Sequence, residues 1–220
     1  MLRLPATALP RPVPYSAARR RVLGTLALSA LAAGISRAYA QGSSLCGPTA
    51  PTTAGPFYVS GTPLLADINR LGAPGTPMRV RGTVFGGDGT QPLATAIVEL
   101  WHCDAEGHYH PADQGGMADF PDDAINLRGT AVSDAQGEYR FDSIVPGHYG
   151  NRRRHLHWRI SAPGHRTLVT QSYWREERHT ARESRDFVDR NTEDCRWVAF
   201  ARGTDGTMEG RFDVVLEPLA

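Results

Sequence analysis

The sequence predicts an all-β fold, an antiparallel β-sandwich with long loops and little helix. Three observations predict it. Short apolar runs recur between turn-forming residues, apolar and polar residues alternate within several of these runs, and 3.6-residue periodicity is scarce. A chain of 220 residues is long enough for one domain with a sizeable core.

Residues 41–77 are rich in Pro, Gly, Ser and Thr and read as an irregular N-terminal wrap, with residues 78–220 as the sandwich domain. Over residues 78–85, Val80, Gly82 and Val84 alternate with Arg79, Arg81 and Thr83, and the run stops at Gly86-Gly87-Asp88-Gly89. Residues 96–103 form the next strand, carrying Ile97, Val98, Leu100 and Trp101. Residues 130–133 and 138–141 flank Asp134-Ala135-Gln136-Gly137, a hairpin signature, with Tyr139 and Phe141 as core. Further strands are expected over 155–161, 167–173, 197–201 and 211–217. The charged stretch 175–194 accommodates one or two short helices and is otherwise an exposed connection.

Charge is unevenly placed. Six of the 24 basic residues (Arg3, Arg11, Arg19, Arg20, Arg21 and Arg37) lie in residues 1–40, which hold no acid, so 18 basic face 23 acidic residues from Gln41 onward. A phosphate-backbone binder needs the opposite sign on its folded part, so nucleic acid is excluded as a partner. The chain has no lysine, which excludes Schiff-base chemistry and a P-loop lysine. Paired Arg19-Arg20-Arg21, an apolar run from Val22 to Ile35 and Ala38-Tyr39-Ala40 read as a signal peptide of twin-arginine type over residues 1–40. The run is too short and interrupted for a stable membrane span, and a periplasmic or secreted location is expected after cleavage. Of Cys46, Cys103 and Cys195, two can form a disulfide outside the cytoplasm and one is left over; the pairing stays open.

His155-Leu156-His157 carries the chemistry. Residues i and i+2 of a strand face the same way, so two imidazoles can present nitrogen to one metal ion. Tyr149 lies six residues earlier, after a Pro146-Gly147 turn, and Tyr109 follows a strand ending near Trp101. A free phenol has a pKa of about 10, so only a strongly Lewis-acidic ion ionises it readily at neutral pH. Two phenolates with two imidazoles therefore point to Fe(III) rather than Zn(II) or Mg(II).

These motifs resemble the intradiol ring-cleavage dioxygenase family, closest to its protocatechuate 3,4-dioxygenase-like branch. The resemblance rests on Thr53-Ala54-Gly55-Pro56-Phe57-Tyr58, on the run from Val98 through Trp101-His102-Cys103-Asp104 to Gly107-His108-Tyr109, and on Asp134-Ala135-Gln136-Gly137-Glu138-Tyr139. It continues through Val145-Pro146-Gly147-His148-Tyr149, Arg152-Arg153-Arg154-His155-Leu156-His157-Trp158 and Thr170-Gln171-Ser172-Tyr173-Trp174. It implies one non-haem Fe(III) per chain, held by Tyr109, Tyr149, His155 and His157. It further implies Arg152, Gln171 and Tyr149 as catalytic residues, and Tyr58 lining the substrate pocket with Arg152 and Gln171. The implied reaction inserts both atoms of O2 into a catechol-type aromatic ring to give a cis,cis-muconate-type product. Implied partners are a small catechol-type molecule and O2, with a homo-oligomer admitted.

Arg153 and Arg154 are expected as solvated surface charges or ion pairs. His102, His108, His110 and His148 flank the ligands as supporting groups or as solvated side chains, and Trp101 and Trp158 read as core or pocket wall. Two other classes fit part of the sequence: a cupin-like metal oxygenase, for which Glu176, Glu177 and His179 follow the His-x-His but not in the usual spacing, and a non-catalytic exported β-sandwich binding module.

Overall fold

The computed structural model describes residues 46–220; residues 1–40, where a signal peptide is expected, lie outside the described residues. In chain order the strands are β1 (Val59–Ser60), β2 (Pro77–Gly86), β3 (Gln91–Pro92), β4 (Ile97–Trp101), β5 (Gly115–Gly116), β6 (Arg128–Val132) and β7 (Glu138–Ile144). They continue with β8 (His155–Ser161), β9 (Leu168–Trp174), β10 (Trp197–Val198), β11 (Ala201–Arg202), β12 (Met208–Arg211) and β13 (Val214–Leu216). One sheet has the order β10-β9-β8-β4-β6; the other runs β11-β12-β2-β13, with β7 and β3 also pairing β2. Helix is limited to the five-residue α1 (Ala181–Arg185) and single 3-10 turns among the described residues. The fold is an all-β sandwich.

The long ladders are antiparallel, β2 with β7 and β4 with both β6 and β8. Shorter pairings run parallel, notably β12 and β13 on β2. The strand expected over 211–217 is split because the chain turns inward at Phe212, which is fully buried. Phe212 N donates to Arg81 O at 2.8 Å, and the Asp213 carboxylate replaces a backbone acceptor for Thr83 N, also at 2.8 Å. Gly82 permits this crossing, since a Cβ there would lie 1.8 Å from Phe212 O. The strand expected over 197–201 is likewise divided: Trp197–Val198 joins the first sheet and Ala201–Arg202 the second.

Alternation places the core between the sheets. Val80, Val84, Phe141, Phe212 and Val214 from one sheet meet Val98, Leu100, Leu156, Trp158 and Ile160 from the other. On β8 the intervening residues His155, His157 and Arg159 consequently face away from the core, as do Glu99 and Trp101 on β4 and Gln171 and Tyr173 on β9. That outer face is covered by chain rather than solvent. Thr52 N donates to Val169 O at 2.8 Å, and Thr170 Oγ1 to Ala50 O at 2.8 Å, laying the N-terminal segment along β9. A Cys46–Cys195 disulfide ties this segment to the stretch before β10, and Cys103 is the free, buried thiol.

Candidate metal centre

Trp101, His157 and Gln171 occupy one register row across β4, β8 and β9, with His155 opposite Tyr173 two residues along. His155 Nε2 and His157 Nε2 are 3.1 Å apart, and Tyr109 Oη lies 3.2 Å from the first and 3.0 Å from the second. All three side chains are buried. His155 Nδ1 donates to Arg153 O at 2.6 Å, which leaves the Nε2 lone pair of His155 facing the other two donors. At most two protons, one each from Tyr109 Oη and His157 Nε2, serve three contacts. The atoms cluster more closely than their own hydrogen bonding explains. Adjacent ligands on a metal with bonds of about 2.1 Å stand roughly 3.0–3.4 Å apart, the spacing of this trio. Burial pushes the His155 imidazole down to about 3, His157 down as well, and the Tyr109 phenol up. Both imidazoles are therefore neutral at pH 7, with lone pairs a metal could take, and the phenol requires a strong cation to ionise.

Tyr109 reaches this centre through two turns packed backbone to backbone. Gly107 adopts φ +95°, and a Cβ on it would lie 2.3 Å from His148 O; a Cβ on Gly147 would lie 2.3 Å from Ala105 O. Asp104 organises the first turn, its Oδ1 accepting from Glu106 N and His108 N at 2.9 Å each, while its carbonyl accepts from Gly147 N at 2.7 Å. The close approach brings Tyr149 edge-on to Tyr109, with ring centroids 5.6 Å apart. Tyr149 is 38 % exposed, and its hydroxyl makes no hydrogen bond among the described residues. It borders the trio at the solvent side rather than lying inside it.

Arg152 is held from two directions, its Nε donating to Asp186 Oδ1 at 2.8 Å and its Nη2 to Gln171 Oε1 at 2.6 Å. Gln171 is anchored in turn by Nε2 donating to Thr53 O at 2.8 Å, and the Tyr173 hydroxyl, shared with Asp189 Oδ2 at 2.8 Å, lies 3.0 Å from its Oε1. Tyr58 packs its ring 5.0 Å from Trp101, and its hydroxyl donates to Glu99 at 3.1 Å, so its polar end is already engaged. Trp101 stacks on His157 at 5.0 Å.

Three residues escaped the sequence reading. Phe57 stacks on Tyr109 at 4.3 Å; its only signal was its place in Gly55-Pro56-Phe57-Tyr58. Gly55 lies against His157, where a Cβ would be 3.3 Å from Cε1. Asp186, 34 residues from Arg152 in a stretch expected to be exposed, is buried. Of the two expectations for Arg153, the ion pair holds and the solvated surface does not: it is fully buried, paired to Asp186 at 3.1 Å and stacked 4.0 Å over the Tyr173 ring. Arg154 is half-buried and lies 5.6 Å over the Trp174 ring.

Of the flanking histidines, His102 is buried, bridges Cys103 O and Ser143 Oγ, and is pushed down to about 4 by burial. His110 pairs with Asp104 and His148 with Glu177, whereas His108 is exposed. Glu177, one of the residues a cupin-like site would draw on, instead pairs with His148 at 2.7 Å and accepts from Arg154 N at 2.9 Å. Cys46, Cys195 and Glu193 also cluster, but the two sulfurs are bonded to each other. A cavity of about 580 Å³ between β6 and β7, lined in part by Leu65, Arg81, Tyr139 and Arg211, includes none of the trio.

Residues 53–218 match the family model described as Dioxygenase. This chain belongs to the intradiol dioxygenase family. It is 38 % identical over 146 residues to catechol 1,2-dioxygenase 2 of Acinetobacter lwoffii, covering 57 % of this chain and 50 % of that protein. It is 36 % identical to 6-chlorohydroxyquinol 1,2-dioxygenase of Cupriavidus pinatubonensis, covering 78 % and 66 %. The chain thus spans about half to two thirds of the length of these relatives. Among solved structures, catechol 1,2-dioxygenase from Acinetobacter sp. ADP1 superposes with a TM-score of 0.66 at 29 % identity, over 80 % of this chain and 65 % of that one. The dioxygenase domain of a carbohydrate-binding fusion protein from Streptomyces sp. SirexAA-E gives 0.63 at 27 % identity, over 78 % and 99 %.

Proposed function

We propose that this chain is a non-haem Fe(III) intradiol dioxygenase, with one iron held by Tyr109, Tyr149, His155 and His157. It opens a catechol-type ring between its two hydroxylated carbons. The observation that carries the reading is the convergence of Tyr109 Oη, His155 Nε2 and His157 Nε2 within 3.2 Å of one another. Ferric iron, when bound, draws electron density from a chelated catecholate and so opens a ring carbon to O2. Catechol and one O2 together contain every atom of the cis,cis-muconic acid product, so both oxygen atoms are retained.

The protein's own groups do the rest. His155 and His157 remain neutral donors throughout, oriented by the Arg153 carbonyl and by the Trp101 ring. Tyr149, the exposed member of the set, would help hold the iron and would offer its phenolate oxygen to take a proton from an incoming catechol hydroxyl. Arg152 provides a fixed cation for the negative charge that builds on the ring, and Gln171 holds its Nη2 corner. The Phe57, Tyr58 and Trp101 rings give the site an apolar wall that excludes bulk water.

The similar proteins named above act on catechol and 6-chlorohydroxyquinol, so catechol and hydroxyquinols are the substrates to try first, followed by protocatechuate. A location outside the cytoplasm is supported by the Cys46–Cys195 disulfide as well as by residues 1–40. Metal analysis, a visible spectrum and oxygen uptake across these catechols test the proposal. A coloured protein with one iron per chain, consuming one O2 per diacid formed, supports it. Protein that refuses iron and leaves every catechol intact sinks it.

A further inference from the structure

The stretch between α1 and β10 reaches back to β8 through one carboxylate. Asp186, which ends α1, is only 2 % exposed. Its Oδ1 accepts from Arg152 Nε at 2.8 Å, while its Oδ2 accepts from both the backbone N and the Nε of Arg153 at 3.1 Å. The Arg153 carbonyl, on the other side of the same residue, receives the Nδ1 proton of His155 at 2.6 Å. One side chain thus clamps the guanidinium beside the centre and the residue that orients a metal ligand.

We propose that Asp186 is a positioning residue for ring cleavage, acting through Arg152. The inference rests on the reading of the site as a catechol-cleaving centre. A guanidinium on a flexible stem samples many rotamers; acceptors at Nε and Nη2 leave it one direction, with Nη1 as the corner not engaged by protein among the described residues. Arg153 shares Asp186 with Arg152 and also pairs with Glu183 at 3.7 Å, so Asp186 is not neutralised by Arg152 alone and holds both guanidinium groups in place. Arg153 is itself held at its far end, where Nη2 donates to Asp189 O at 2.6 Å and Nη1 to Thr192 Oγ1 at 3.2 Å. No other acidic side chain forms an ion pair with Arg152 among the described residues.

The test compares wild type, Asp186→Asn, Arg152→Ala and the double variant as iron-loaded protein. Iron per chain, the visible band, anaerobic catechol affinity and kcat are read for each. Asn matches the shape of Asp but offers one acceptor oxygen, so Asp186→Asn is expected to keep its iron and bind catechol while kcat falls roughly 10- to 100-fold. Arg152→Ala should lose as much, and the double variant no more than the worse single, because Asp186 acts through Arg152. A wild-type kcat in Asp186→Asn, or losses that multiply in the double variant, overturns the assignment. If wild type itself holds no iron and cleaves no catechol, the catalytic reading falls instead, and metal-free protein then decides on the positioning role. Its readout is the Arg152 Nε–H resonance, identified by its disappearance in Arg152→Ala. Slow exchange in wild type and solvent-like exchange in folded Asp186→Asn supports the clamp, and no difference overturns it.

Discussion

Gly107 stands so close to His148 that a single added methyl group would fall 2.3 Å from the His148 carbonyl oxygen. The two turns in contact there carry Tyr109 and Tyr149, so a backbone approach that only glycine allows sets the spacing of the proposed phenolates. Gly107→Ala would incur both the contact and the φ of +95°. We expect a stability loss of about 2 kcal/mol or more, with weakened iron retention. Denaturant unfolding and metal analysis measure the two effects; a variant matching wild type in both would show that the turns move apart freely.

Tyr109→Phe keeps the ring that stacks on Phe57 at 4.3 Å and deletes only the oxygen that meets His155 and His157. The fold should survive with a melting temperature within a few degrees of wild type, while iron colour and turnover disappear. Retained colour with full activity would remove Tyr109 from the ligand set. The exposed Tyr149 is expected to behave differently: Tyr149→Phe should keep iron through the remaining three donors and lose rate.

The Cys46–Cys195 disulfide closes a loop with a sequence separation of 149. A long loop gains much from closure in the chain-entropy account, so Cys195→Ser should lower stability by about 2–4 kcal/mol. Thermal unfolding with and without reductant checks this: reductant should shift the wild type and leave the variant unmoved. The loss should also loosen the N-terminal segment, whose Thr53 carbonyl holds Gln171.

Asp186 makes stability depend on acid pH. Burial alone would raise its pKa, but Arg152 and Arg153 outweigh that and hold the carboxyl below its ordinary value. A depressed folded-state pKa means that the unfolded chain binds the proton more readily. The stabilisation is therefore fully present above the unfolded value of about 3.9 and is lost as pH falls through the folded value. Unfolding free energies between about pH 5 and pH 2 should fall more steeply in wild type than in Asp186→Asn. Parallel curves for the two proteins would contradict the ion-pair account.

The strands that build the core were readable because a period of two survives in any local window. Val80-Gly82-Val84 and Leu156-Trp158-Ile160 mark buried faces by composition alone. The turn at residues 134–137 forms, closed by Gly137 N donating to Asp134 O at 3.0 Å, but the expected hairpin does not, because β6 pairs with β4 in one sheet and β7 with β2 in the other. The same alternation that buries Leu156 and Trp158 places His155 and His157 together on the opposite face. The splits at Phe212, where β12 and β13 both stay on β2, and at residues 199–200, where the chain changes sheet, were not readable, because neither break alters the apolar composition of the run.

Residue types and short spacings in this protein carried the β class and the paired imidazoles, because neighbours two apart on a strand share a face whatever surrounds them. The meeting of Tyr109 with those imidazoles, 46 and 48 residues away, is a property of packing between distant turns. So is the burial of Arg153 and Asp186, two charges that read as surface residues until a long connection folds back over β8. Local periodicity says which way a side chain points; only assembled segments decide what it meets.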